Sequence, residues 1–513
     1  MTAPIEPIDL QDPGPASPIA AHGKSFQAAC WTAREVLAAT GGHWAAGRAA
    51  GPFWRAAGVC IALSEMRPGD MVAVRGADNT GVALARLGRA PFLPQAPIVD
   101  AGTAASQLAA LPPGAPVLVA PAIREAVAGL GVWARRHRSG KVVGVTGSAG
   151  KTTMVALIAH ALRLWGVTGA SRGSANMQMG IAWNLASMPG DAAFRVVEMA
   201  IGGMRANTAI ARPDVAIVTN IAPAHLQYHR DVDEIARRKA RIFEGMRPGA
   251  VAVLYMDMPQ FALLERAARQ AGLRVVSYGR ATSADVRLTE YAGQQRMVSL
   301  SLRGRPIGFR MSAPGEHMAL NAAGCVAVLD ALGLPAEHAA PFFATFAPVA
   351  GRGVIRDLTV DGRVIRLVDE SYNANPASMA AAIAMTRDLQ PPAPGGRRLF
   401  VLGDMRELGP DSRRLHADLA GAVLDGRPDL VILCGEEMTS LRDALAGRTQ
   451  TLWAADVTEL APLVRAELRS GDLVLVKSSA GTRLDRLAAA LVAASARGAS
   501  AGDAGCHDVS RDY

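Results

Sequence analysis

The segment "VVGVTGSAGKTTMVALIAHAL", Val142 to Leu162, constrains the fold more than any other part of the chain. Val142, Val143, Gly144 and Val145 read as a buried strand, and the apolar-periodic residues after Lys151 read as a helix. A strand that passes through a small-residue turn straight into a helix is the building unit of a parallel α/β sheet. The turn itself reads as a phosphate cradle. Glycines at 147 and 150 let backbone N–H groups approach a phosphate with no Cβ in the way. Lys151 supplies a point charge for the terminal phosphates, and the Thr152 hydroxyl suits Mg²⁺. Thr146, Ser148, Ala149 and Thr153 complete the stretch. The common pattern G-x-x-x-x-G-K-[ST] is not met, because Val145 stands five residues before Gly150. The loop is therefore read as a shortened nucleotide loop, since strand and helix flank it on the expected sides.

The rest of the chain repeats this alternation. At 513 residues it is too long for one core, so several domains are expected. Residues 1–25 are Pro-rich and polar and are read as disordered. Residues 26–140 form a small α/β unit, with a helix in "WTAREVLAATGGHW" and a strand, turn and strand in "GVCIALSEMRPGDMVAVRG". Residues 141–350 form the unit that carries the nucleotide loop. Its strands "FRVVEMA" and "PDVAIVTNIA" fit a parallel sheet, "VSYGRATSADVRLTEY" and "QQRMVSLSLRGRPIGFRMS" fit antiparallel strands, and "GEHMALNAAGCVAVLDALG" is a helix closed by Gly333. From Gly351, "RVIRLVDES", "RRLFVLGDM", "DLVILCG" and "DLVLVKSS" are four apolar strands of a second doubly wound sheet, over 351–495. Residues 496–513 are read as a disordered tail.

No apolar run reaches the 18 or more residues that span a bilayer. The opening "MTAPIEPIDLQDPGPASP" has no basic region followed by an apolar one, so a cytoplasmic protein is expected. The cysteines (Cys30, Cys60, Cys325, Cys434, Cys506) are scattered, which argues against a disulfide framework or a zinc site. The net charge of +9 is spread over the chain with no basic block among aromatics, so nucleic-acid binding is not expected.

Arginine dominates the cations. Of 54 basic residues only Lys24, Lys141, Lys151, Lys239 and Lys477 are lysine. Positions that keep lysine are candidates for chemistry that a guanidinium cannot perform, because only the amine is compact and nucleophilic. Lys239 stands among Arg237, Arg238 and Arg241 and still remains lysine. Glu198 ends the strand "RVVEMA", and His225 follows the strand ending in "VTN". Each alone reads equally as an ordinary strand end. Together, beside a phosphate loop, they make a Mg²⁺ site plausible, since magnesium favours carboxylate and phosphate oxygens.

Seven motifs occur in order: "TGSAGKTT", "VVEMA", "TNIAPAHL", "IARRKARIFEGM", "GEHMALNAAG", "DESYNANPASM" and "LGDMRELG". Together they resemble the Mur ligase family, whose shortened loop has the form T-G-x-x-G-K-T. The resemblance implies a three-domain α/β architecture with a central P-loop ATPase-like parallel sheet and a C-terminal Rossmann-like domain. It implies ATP-dependent carboxylate–amine ligation through an acyl phosphate. Thr152, Glu198, His225 and Lys239 would hold two Mg²⁺ ions, with Lys151 on the phosphates and Lys239 carbamylated by CO₂. Asn321, Arg352 and Asp369 would meet the nucleotide. Asn373 and Asn375 would meet the incoming amine, while Arg75, beside the "GADNTG" turn, is a substrate-binding candidate read from this sequence rather than from the resemblance. "DESYNANPASM" and "LGDMRELG" point to the branch that joins D-alanyl-D-alanine to a UDP-linked peptide acid in the cytoplasm, as a monomer.

Two departures bear on the acid. "RPGDMVAVRGADNTGVALARLG" keeps the family's N-terminal strand but not the G-E-R-x-D-G-H-like stretch that holds a UDP-sugar. The C-terminal K-G-S-R pattern becomes "KSSAGTR", with Lys477 kept and the arginine displaced to Arg483. Two other readings stay open: a related amide ligase acting on a different acid, and a nucleotide-binding partner protein without ligase activity.

Overall fold

A computed structural model describes residues 31–503, except 103, 112, 113, 174 and 225. The proposed N-terminal disordered segment 1–25 lies outside the described residues. Three sheets of five, nine and six strands, and one two-stranded ribbon, carry the chain.

The central sheet explains the valine-rich runs. From one edge to the other its strands are Arg305–Arg310, Met297–Leu302, Val286–Ala292, Arg274–Gly279, Val251–Tyr255, Val215–Val218, Lys141–Thr146, Phe194–Glu198 and Thr168–Ala170. Val142, Val143 and Val145 are wholly buried because helices cover both faces, as a parallel sheet requires. Lys151–Leu162 and Glu316–Ala331 pack on one face, while Gln178–Ser187, Met204–Ala211, Val232–Ala240 and Phe261–Gln270 pack on the other. The antiparallel expectation needs correction here. Arg274–Gly279 and Val286–Ala292 pair in parallel, and only the last three strands of this region are antiparallel. The six-residue link between the two suffices because they overlap by only two pairs, Tyr278 with Val286 and Gly279 with Arg287. The second strand leaves where the first ends, so no crossover helix is needed.

The C-terminal sheet has six strands, not the four expected. Val354–Val360 forms an antiparallel hairpin with Arg363–Glu370, and Thr451–Ala454 adds the far edge. Both additions are edge strands: Val354–Val360 mixes charged and apolar residues, and Thr451–Ala454 is only four residues long, so an apolar-run criterion passes over them. The terminal helix runs Leu484–Asp503, so residues 496–503 of the expected disordered tail are helical, and the remainder of that tail lies outside the described residues.

In the N-terminal unit, Gly58–Cys60 and Asp70–Ala73 are parallel neighbours rather than two arms of a simple turn. Its helix Ala33–Thr40 begins at a capping box in which Thr32 and Glu35 exchange hydrogen bonds. This unit is pinned to the central one by helix Gln178–Ser187. The indole N–H of Trp183 donates to the Val59 carbonyl at 2.5 Å, and that of Trp31 to the Ala186 carbonyl at 2.9 Å. Helix Ile123–His137 crosses the same helix at Gly131, where an added Cβ would stand 2.5 Å from Ala182 Cα. Gly131→Ala should therefore push the two helices apart and destabilise the protein by about 1–3 kcal/mol. Denaturant unfolding of the variant against wild type is the check, with nucleotide binding expected to survive.

Candidate functional site

Sheet register assembles the site. Glu198 pairs with Val145, and Val218 pairs with Thr146, so the ends of three adjacent strands lie level beside the phosphate loop. This is the carboxyl edge, where open α/β sheets place their ligands.

The loop is held open from one side by "TNIA". Ser148 N–H donates to Asn220 O at 3.0 Å, Ala149 N–H to Asn220 Oδ1 at 2.8 Å, and Thr219 Oγ1 to Ala149 O at 2.7 Å. Tyr278, reaching across from its strand, donates its hydroxyl to Thr219 O at 3.0 Å. Gly147 permits this closeness, since a Cβ there would sit 1.9 Å from Thr219 Oγ1. Gly150 takes the left-handed conformation, with φ 74°, at the start of helix Lys151–Leu162. Asn321 lies across from Gly150, its amide 3.8 Å from where a Cβ would be.

Thr152 and Glu198 meet directly: the hydroxyl donates to Glu198 Oε2 at 2.6 Å. Asn176 donates to the other carboxylate oxygen at 2.9 Å, and Glu198 is 4% exposed. A buried carboxylate held by neutral donors beside a phosphate loop supplies the hard oxygen ligands that suit Mg²⁺.

Two amines converge on one oxygen. Lys151 Nζ donates to Gly147 O at 3.1 Å, and Lys239 Nζ donates to the same oxygen at 2.8 Å. They therefore lie no more than about 6 Å apart, where two ammonium charges would repel by about 3 kcal/mol at an effective dielectric near 20. Burial pushes the Lys239 amine well below its ordinary range, and the neighbouring Lys151 adds to this. Lys151 is lowered too, chiefly by burial, with Glu198 opposing and Arg352 reinforcing the shift. Such a repulsion lowers proton affinity by about a hundredfold. It adds to the effect of burial, and the more deeply buried Lys239 is the amine more strongly lowered.

The C-terminal unit closes over the loop. Asn375 caps helix Pro376–Met385 through Ser378, and its Nδ2 approaches Ser148 O at 3.5 Å. Arg352 stacks on the Tyr372 ring, 3.9 Å from its centroid, which rigidifies a guanidinium near Lys151. Lys477, 1% exposed, donates to Glu370 Oε2 and Asn373 O, both at 3.1 Å, across a register that pairs it with Glu370. Asp369 accepts from the Ser371 hydroxyl at 2.6 Å. The loop after the "TNIAPAHL" motif also meets this unit, with Gln227 N–H donating to Glu407 O.

Of the expected residues, Thr146 to Thr153, Glu198, Lys239, Asn321, Arg352 and Asn375 thus cluster around one loop, with Asp369 and Asn373 beside Lys477. His225 lies outside the described residues. Arg75 stays in the N-terminal unit, where its Nε donates to Gly81 O at 3.3 Å within the "GADNTG" turn. Displaced Arg483 sits in left-handed conformation, 3.7 Å from Asp485. Asn176, Asn220 and Tyr278 were not expected. They carry no spacing signal, because their partners are far away in sequence.

The comparisons with known proteins give the family. The family model for the Mur ligase middle domain matches residues 145–329, and that for the Mur ligase glutamate ligase domain matches 358–480. The UDP-N-acetylmuramoyl-tripeptide–D-alanyl-D-alanine ligase of Mycobacterium tuberculosis is 31% identical over 385 residues, covering 69% of this chain and 73% of that protein. The chain belongs to the Mur ligase family. The Rickettsia prowazekii ligase of the same name is 27% identical over 71% of this chain and 80% of its own length. The crystal structure of MurF from Acinetobacter baumannii superposes with a TM-score of 0.74 at 25% identity, covering 91% of this chain and all of the other. The three-unit arrangement is that of these Mur ligases. Among the described residues no helix is long and apolar enough to cross a membrane.

Lys239 gives the apoprotein a pH signature. Its folded-state proton affinity is depressed, so the unfolded chain binds more protons between the depressed value and the ordinary lysine range. Stability should therefore rise with pH across that window, and Lys239→Met should flatten the rise. Denaturant midpoints of both proteins at pH 7 and pH 9 read the difference.

Proposed function

We propose that the protein is an ATP-dependent carboxylate–amine ligase that adds D-alanyl-D-alanine to UDP-N-acetylmuramoyl-tripeptide in peptidoglycan precursor synthesis, releasing ADP and phosphate. The names of its relatives supply the substrates. The observation that carries the chemistry is the loop itself, where Thr152 and Glu198 form a buried oxygen pair and two lysines share the Gly147 carbonyl.

The residues fit the groups that this reaction requires. Backbone N–H groups after Gly147, and Lys151, face where ATP phosphates would lie. Thr152 and Glu198 would hold one Mg²⁺, with His225 and Lys239 serving a second. Bound magnesium would neutralise charge on the transferring phosphoryl group. Lys239 is suited to carbamylation because CO₂ reacts with a neutral primary amine, and burial favours the neutral form of this one. Its carbamate would exchange a repelling ammonium for an anionic oxygen ligand. Arg352, fixed on Tyr372, adds positive charge near the phosphates. Asn373, Asn375 and the Lys477–Glu370 pair stand on the C-terminal side, where the incoming amine would be oriented toward the acyl phosphate. The contribution of the protein is then mainly positioning and electrostatics.

A second reading, the same chemistry on a different acid, is favoured by one observation. The N-terminal unit falls outside both family-model matches, and its "GADNTG" turn replaces the family's UDP-holding stretch. ADP release measured against a panel of acids and amines decides between the two. Turnover of the UDP-tripeptide with D-alanyl-D-alanine is the expected result, and activity on another acid alone would move the assignment to the second reading.

Lys151→Ala should abolish ADP release while leaving the unfolding midpoint near wild type. Lys239→Arg keeps a cation but cannot be carbamylated, so ligation should fall by about 10²-fold or more. Short carboxylates should restore part of the activity of Lys239→Ala by occupying the vacated ligand position. Near-normal turnover of Lys239→Arg would remove this residue from the reaction.

A further inference from the structure

The opposite end of the strand that bears the phosphate loop opens into a cavity of about 450 Å³. Six cations line it, Arg135, Arg136, Arg138, Lys141, Arg212 and Arg247, against the single carboxylate of Asp214. Lys141 begins the strand and Thr146 ends it, so at ~3.3 Å per residue the cavity lies about 17 Å from the loop.

Part of this charge has a structural purpose. Arg135 donates to the Ala211 and Arg212 carbonyls at 2.8 and 2.7 Å and pairs with Asp214 at 3.1 Å, closing the C-terminus of helix Met204–Ala211. Arg138 lies over the Trp31 ring. The remaining cations are not explained in this way. The side chains of Arg136, Lys141, Arg212 and Arg247 make no hydrogen bond or ion pair among the described residues, and all four are exposed. Behind the cavity wall, Arg195 is 3% exposed and bonds the carbonyls of Ser139, Pro189 and Gly190, while its buried Nε has no partner among the described residues. The proton affinity of this guanidinium is depressed to about 10 by burial, and then by Arg138 and Arg135. Like charges gathered from a helix end, a strand start and two loops repel one another unless an anion joins them.

We propose that this cavity binds a compact polyanion bearing two or more phosphate groups. A volume of this size holds a small molecule. Guanidinium forks from separate elements match phosphate oxygens in pairs, which favours a multiply charged phosphate over a lone carboxylate. The site is independent of the nucleotide loop and of the ligase reading.

Calorimetric titration with inorganic triphosphate tests this, on the full chain with its loop already saturated by a non-hydrolysable ATP analogue and magnesium, at physiological salt. Wild type should bind one further equivalent. Arg136→Ser/Arg247→Ser should weaken that equivalent by tenfold or more, and Arg136→Lys/Arg247→Lys, which keeps the charge but not the forks, should lose less. Both residues are exposed, so the unfolding midpoint and the affinity for the ATP analogue should not change. No further equivalent at millimolar triphosphate, or undiminished binding by the serine variant, would overturn the proposal. So would an equivalent seen only at low salt, which marks an adventitious ion only. Tighter competition by a short DNA duplex would overturn it in favour of a nucleic-acid surface.

Discussion

Two amines on one carbonyl set the terms for the rest of the site. Gly147 O accepts from both Lys151 and Lys239, and this places a residue from a helix some ninety positions along the chain against the floor of the phosphate loop. Two buried ammonium ions so close would each carry a desolvation cost of several kcal/mol as well as their mutual repulsion. Burial and this repulsion both lower the proton affinity of Lys239, which favours the free amine at that position. Glu198 tempers the field without quenching it, because its oxygens are already committed to Thr152 and Asn176.

This geometry depends on sheet register more than on the loop's own sequence. A one-residue slip between Lys141–Thr146 and Phe194–Glu198 would turn Glu198 to the opposite face and leave Thr152 without its partner. Buried valines on both faces fix that register, and the bracing from Thr219, Asn220 and Tyr278 fixes the loop against it. The neighbouring units are then attached at opposite places. Helix Gln178–Ser187 carries Trp183 into the N-terminal core, while the capped end of helix Pro376–Met385 brings Asn375 to the loop. The parallel sheet thus has a reactive carboxyl edge and, at its other edge, a basic cavity.

Local sequence determined a good deal. The strand–loop–helix unit around Lys151 was legible because buried strands, glycine turns and helical periodicity each leave their own local pattern. Lys239 was singled out for a compositional reason: in a chain that uses arginine almost everywhere, a retained lysine is a candidate for chemistry of the amine itself. Only the tertiary structure decided the rest. It showed that Lys239 reaches Gly147, that Asn176 holds the second oxygen of Glu198, and that Arg274–Gly279 runs parallel to Val286–Ala292. It also found the edge strands Val354–Val360 and Thr451–Ala454, and a helix continuing to Asp503. Each of these is set by packing or pairing between segments distant in the chain, or by a balance of weak propensities at an edge. A hydrogen bond between residues tens of positions apart leaves no periodicity behind, so the folded sheet alone could bring it to light.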